Sequence, residues 1–96
     1  VYIAKGMNYF SKLKVAEFLC EAGNLHVGDE IIITGPTTGV IRSKIHEIRV
    51  DFKNVNETVQ GDRFSIPMDQ IIRRSDKLYK WTDVNDLDAG QNQKQQ

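Results

Sequence analysis

Apolar and polar residues are patterned most clearly between Val27 and Asp51, and the rest of the chain is read outward from there. A Val27-Gly28-Asp29 turn launches the β-branched run Ile31 to Thr34, the Gly35-Pro36-Thr37-Thr38-Gly39 segment reverses direction, and a second strand returns with apolar residues at Val40, Ile45, Ile48 and Val50. The pattern predicts a β-hairpin with a long return strand. Val40 and Ile48 fall on even positions, Ile41 and Ile45 on odd ones, so the inward face must change; a bulge near Arg42-Ser43 would do this and would curve the sheet. The Gly-Asp entry recurs as Val59-Gln60-Gly61-Asp62 ahead of Arg63-Phe64-Ser65-Ile66-Pro67. Gly supplies a positive φ there, and Asp can bond the backbone just ahead of it.

The flanks extend the same pattern. Val1 to Ala4 is strand-like, Lys5-Gly6 breaks or bulges it, and Met7 to Phe10 resumes, which predicts a bent first strand. Residues 11–23 fit two periods. Ser11 as a cap, Leu13, Ala16, Leu19 and Cys20 at helical spacing and Gly23 as a left-handed stop read as a helix, and the pattern alone favours it; Ala16, Phe18 and Cys20 opposite Val15, Glu17 and Leu19 read as a strand. Beyond the hairpin, Phe52 to Asn54 reads as a turn, Val55 to Val59 as a short strand and Arg63 to Met68 as another, with Pro67 marking its end or an edge. Gln70 to Asp76 is connecting, and Leu78 to Trp81 alternates Leu78 and Lys80 against Tyr79 and Trp81. Six or seven short strands with turns between them define an all-β fold, a small barrel or sandwich. After Trp81 the composition turns to Asp, Asn, Gln and Gly, so residues 83–96 are expected to form a disordered polar tail behind a single domain at 1–82.

Composition narrows the functions available. A chain of 96 residues holds one small core with no spare volume for a deep catalytic cleft. The 13 basic and 13 acidic residues cancel, but residues 1–82 carry 12 bases and 10 acids, a formal +2, while Asp83, Asp86 and Asp88 follow. The bases form two groups, Arg42, Lys44, Arg49 and Lys53, and Arg73, Arg74, Lys77 and Lys80. Cys20 has no partner for an internal disulfide, which favours a reducing, cytoplasmic setting, and no apolar run reaches the length of a membrane span. Val1 enters directly on a strand pattern, as in a domain cut from a longer polypeptide.

No catalytic or metal constellation stands out. Cys20 reads as a buried thiol, since His26 and His46 carry no nucleophile signature. The same two histidines with Cys20 and Asp29 lack zinc spacing, so neither metal nor cofactor is expected. Gly35 to Gly39 lacks the Lys-Ser/Thr of a phosphate loop and joins two strands. Glu17 with Glu21, and Glu47 with Asp51, read as solvated strand-face charges. The remaining candidate chemistry is basic and aromatic: Arg42, Lys44 and Arg49 on the hairpin, with Arg73, Arg74, Lys77, Tyr79, Lys80 and Trp81 at the end of the domain, the composition of a face that binds RNA or a partner.

The sequence also resembles a known family. Asn8-Tyr9-Phe10-Ser11-Lys12 with Val15-Ala16-Glu17-Phe18, then Val27-Gly28-Asp29-Glu30, Ile33 to Gly39, Gly61 to Pro67 and Arg73-Arg74-Ser75-Asp76-Lys77-Leu78-Tyr79, is similar to the C-terminal domain of the collagenase-like peptidase family U32, over nearly all of residues 1–82. The order of its strands and Gly-Asp turns resembles the β-barrel second domain of translation elongation factors. The resemblance implies a closed or partly open, translation-factor-like barrel attached to an N-terminal catalytic (β/α) barrel, and makes Val15 to Cys20 a strand despite its helical spacing. It further implies that catalytic residues and any metal ligands lie in that other domain, and that the partners are the catalytic domain and, through relatives that modify RNA, tRNA or rRNA. Three roles follow: positioning RNA, presenting a polypeptide to a protease, or docking only.

Overall fold

The computed structural model describes residues 1–81, and the expected tail at 83–96 lies outside the described residues. These residues form an all-β fold of ten strands: β1 (Tyr2–Phe10), β2 (Val15–Cys20), β3 (Asn24–His26), β4 (Glu30–Gly35), β5 (Gly39–Lys44), β6 (Ile48–Val50), β7 (Lys53–Val55), β8 (Glu57–Val59), β9 (Arg63–Pro67) and β10 (Lys77–Lys80). Eight of them make one antiparallel sheet in the order β5-β4-β10-β1-β2-β9-β6-β7, and β3 pairs with β8 in a separate ribbon. Among the described residues β5 and β7 are free edges, so the barrel is partly open. The count exceeds the six or seven strands expected because two runs that read as continuous are each broken in two and because Asn24–His26 forms a strand of its own, β3.

The first break corrects the hairpin. β4 and β5 pair in unbroken register from Glu30↔Lys44 to Gly35↔Gly39, so Arg42-Ser43 carries no bulge. The inward face changes at Ile45–Glu47, where the chain leaves β4 and restarts as β6 against β7 and β9. Ile45 is buried and held on both sides by backbone, its carbonyl accepting from Gly28 N–H at 2.8 Å and its N–H donating to Asp29 O at 2.9 Å. The second break falls at Asn56, whose carbonyl accepts from Val27 N–H at 3.0 Å. Of the strand expected over 55–59 only Glu57–Val59 forms β8, while Val55 ends β7, which begins at Lys53 because the turn expected over 52–54 is made at Asp51-Phe52 instead.

Residues 15–20 form a strand. Ala16, Phe18 and Cys20 face inward with period two, and burying that face outweighs the helical spacing. β1 is bent as expected, and doubly so: its register shifts between Tyr2 and Ala4 against β10, and between Gly6 and Asn8 against β2. The first shift lets Ile3 and Ala4 both turn inward. At Gly6 a Cβ would come within 2.7 Å of the Arg73 carbonyl, so only glycine lets the loop before β10 cross the strand. That loop, expected to be merely connecting, contributes Ile72 and Asp76 to the interior.

The core runs through the whole curl, with Ile3, Leu25, Ile31, Ile33, Ile48 and Leu78 fully buried beside Phe18 and Phe64, whose rings stack with centroids 5.6 Å apart. Each such side chain contributes about 1.5–3 kcal/mol on burial.

Candidate functional site

The outer face of β5, β4, β10 and β1 collects most of the basic and aromatic candidates. Because strands alternate, Ile31 and Ile33 point into the core while Glu30, Ile32 and Thr34 point out, and cross-strand register extends that outward set to its neighbours. Arg42 lies opposite Ile32, Ile32 opposite Tyr79, and Tyr79 opposite Tyr2, which makes one continuous row. Tyr2 and Tyr79 pack edge to face, centroids 5.7 Å apart. One step along, Lys44 faces Glu30, and the Trp81 N–H donates to the Glu30 carbonyl at 2.8 Å. The Arg42 guanidinium sits 4.5 Å over the Trp81 ring and 3.7 Å from Glu30, so it bridges β5 to the end of β10. Lys77, opposite Thr34 and Lys5, stands in the same outward set as Tyr79. Trp81 remains 44% exposed despite its cationic neighbour.

Not all nine candidates converge. Arg42, Lys44, Lys77, Tyr79 and Trp81 share this face. Lys80 has opposite parity and turns toward Asp29, Nζ to Oδ2 3.4 Å. Arg49 is on β6, four strands away from β10 in the sheet order, where its Nε bonds Glu47. Arg73 and Arg74 are exposed on the loop preceding β10. Sequence spacing grouped Arg49 with Arg42 because they appeared to share one strand, and the break at Ile45–Glu47 is what separates them.

Two features of the region went unread in the sequence. Asp76 is buried, and its Oδ2 accepts from the Thr38 hydroxyl and, at 2.8 Å, from the Arg73 N–H. Its Oδ1 lies where a Cβ on Gly35 would stand, so Gly35 and Thr38 of the hairpin turn are shaped to receive this carboxylate. Tyr2 donates its hydroxyl to Glu21, and partial burial together with that acceptor pushes its pKa up to about 12. Elsewhere Cys20 is buried, its Sγ near the Ala22 carbonyl at 3.6 Å, and burial raises its pKa. That holds the thiol in its unreactive form. His26 pairs with Glu57 at 3.2 Å, and among the described residues no group of three or more His, Cys, Asp or Glu is placed to hold a metal. Nor is any helix there long and apolar enough to cross a membrane.

The two Gly-Asp turns have the same construction. Gly28 and Gly61 take φ of 100° and 96°, Asp29 and Asp62 donate their N–H to the carbonyls of His26 and Val59, and their carboxylates accept from the N–H of those same residues. Each turn then clasps one core residue, Ile45 or Cys20, between a glycine N–H and an aspartate carbonyl.

A small, partly open β-barrel with a basic-aromatic outer face is thus the class that fold and site define. No family model matches the chain. Over 81 residues it is 54% identical to a collagenase of Porphyromonas gingivalis, covering 84% of this chain and 20% of that protein. It is also 28% identical over 79 residues to an uncharacterized protease of Methanocaldococcus jannaschii, covering 82% of this chain and 19% of the relative. The chain therefore spans about a fifth of the length of the curated relatives it matches. Among solved structures, the C-terminal domain of a U32 peptidase from Geobacillus thermoleovorans superposes with a TM-score of 0.79 at 12% identity, covering 84% of this chain and 92% of that one. Nearly all of the described residues are thus similar to part of a collagenase, and their fold is that of the C-terminal domain of a U32 peptidase.

Proposed function

We propose that this chain is a non-catalytic accessory domain of a collagenase-like peptidase-family protein, packing on a larger catalytic body and positioning RNA substrate on the Arg42–Trp81 face. The observation that carries the RNA reading is the exposed Trp81 ring with Arg42 over it, in line with Tyr79 and Tyr2 and flanked by Lys44 and Lys77. Exposed rings beside cations suit single-stranded nucleic acid, because every base has a face to stack and every phosphate a charge to neutralise, each stacked base contributing ~1–3 kcal/mol. The unreactive Cys20 and the lack of a metal-ligating cluster among the described residues support a binding role, and a single free cysteine suits the cytoplasm.

Titration of the chain with single-stranded RNA by fluorescence anisotropy tests this. Affinity is expected to fall steeply as salt rises and to drop about tenfold in Trp81→Ala and in the Lys44→Ala/Lys77→Ala pair, while Arg49→Ala leaves it unchanged. Binding that ignores salt, or no detectable binding to tRNA and rRNA fragments, removes the RNA reading. The names of the relatives favour a second one, in which the barrel presents a polypeptide to a protease. A gelatin-cleavage assay on the intact P. gingivalis relative, with and without its matching 81 residues, separates the two.

A further inference from the structure

At the other end of the sheet order lies a second surface of different chemistry. The register places Phe10 beside Val15 and Val15 beside Pro67, giving an apolar row across β1, β2 and β9. A parallel polar row runs Asn8, Glu17, Ser65, Arg49. Ser65 is small, and around it opens a groove of about 700 Å3 walled by Leu13 and Phe52. Leu13 is 73% exposed and Phe52 99%, so neither contributes to the core.

Phe52 carries the argument furthest. It sits with Asp51 in the two-residue turn between β6 and β7, at φ of 66° and 53°. A turn with two positive φ values favours Asn or Gly, because a side chain of ordinary size is strained there. Phe52 bears that strain and, fully exposed, makes no packing contact that would offset it. A strained, exposed aromatic beside an open apolar groove is the arrangement of an interface anchor. Four of the five charges lining the groove are paired within the chain, Glu17 lying 3.7 Å from Arg63 and Glu47 bonding Arg49, which leaves Asp51 to add a single negative charge. Covering such a face buries paired ions, which suits another polypeptide surface and gives an anionic ligand little to hold. The relatives supply a polypeptide of that kind, since about four-fifths of their length lies beyond the part this chain matches.

We infer that the groove between Leu13 and Phe52 is where this domain docks on the larger body of its own polypeptide, with Phe52 as the anchor. The inference rests on the accessory-domain reading and names the face that does the packing. It also divides the molecule, leaving the Arg42–Trp81 face free for substrate.

Hydrogen exchange tests it without any substitution. Amide exchange in the intact P. gingivalis collagenase is compared with that in this 96-residue chain, after correction for intrinsic rates. Docking is expected to slow the amides aligned with residues 10–15 and 50–53 at least tenfold in the intact protein, and to leave those aligned with 36–42 unchanged. Slowing confined to other segments overturns this docking face and leaves the accessory reading standing. No slowing anywhere overturns both. Slowing at 10–15 and 50–53 that appears in this chain alone as its concentration rises makes the groove a contact between two copies, and the inference fails.

Discussion

Asp76 shows how much one residue can organise. At 1% exposure its carboxylate ties the loop before β10 to the β4–β5 turn through Thr38 and the Arg73 N–H, and its own carbonyl accepts from Gly6 N–H at 2.7 Å. Asp76→Ala leaves both part-buried donors without their acceptor and is expected to cost about 2–3 kcal/mol in urea unfolding, with Thr38→Val costing about 1 kcal/mol. Tyr2 has a pH signature instead. Its phenol holds its proton more tightly folded than unfolded, chiefly through burial and then through Glu21, so its contribution is complete below the ordinary value of 10.0 and is lost as pH rises toward about 12. Urea midpoints measured across that alkaline range should fall for the wild type and fall less for Tyr2→Phe. The sequence did not disclose Asp76: an acid in Arg73-Arg74-Ser75-Asp76-Lys77 reads as solvated, and the side chain that satisfies it, Thr38, lies 38 positions away.

Among the elements, the turns divide into those that relieve strain and one that keeps it. A Cβ added at Gly28 or Gly61 would meet nothing within 4 Å, so Gly→Ala at either costs only the backbone, about 1–2 kcal/mol. Phe52→Gly should go the other way and stabilise by up to about 1 kcal/mol, read by the same unfolding midpoints. A residue whose removal stabilises the fold is held there by something other than the fold. Both Gly-Asp turns were legible in the sequence because type, order and spacing of their residues act locally. The break between β5 and β6 was not: Ile41, Ile45 and Ile48 suit one bulged strand as well as two, and only the backbone bonds from Gly28 and Asp29 to Ile45 decide between them.

For the whole molecule, β10 is the element on which the others depend. It is among the last residues described yet lies between β4 and β1, joining the β4–β5 hairpin to the rest of the sheet. Lys80 N–H donates to the Val1 carbonyl at 2.8 Å, and Leu78 is fully buried. A chain ended at Ser75 is expected to lose the cooperative unfolding transition by circular dichroism, since it exposes two strand edges and the core side chains beneath them. The same non-local closure predicts refolding on the millisecond-to-second scale.

What the sequence determined by itself was local and periodic. It disclosed the all-β class, both Gly-Asp turns, the bend in the first strand and the shared parity of Tyr79 and Trp81, all of which follow from neighbours within a few residues. Tertiary structure alone decided that 15–20 is a strand, that Arg42 and Trp81 meet while Arg49 stands apart, and that Asp76 is buried. Each of those depends on which distant segment lies alongside, and pairing energy between segments is not written in either one alone.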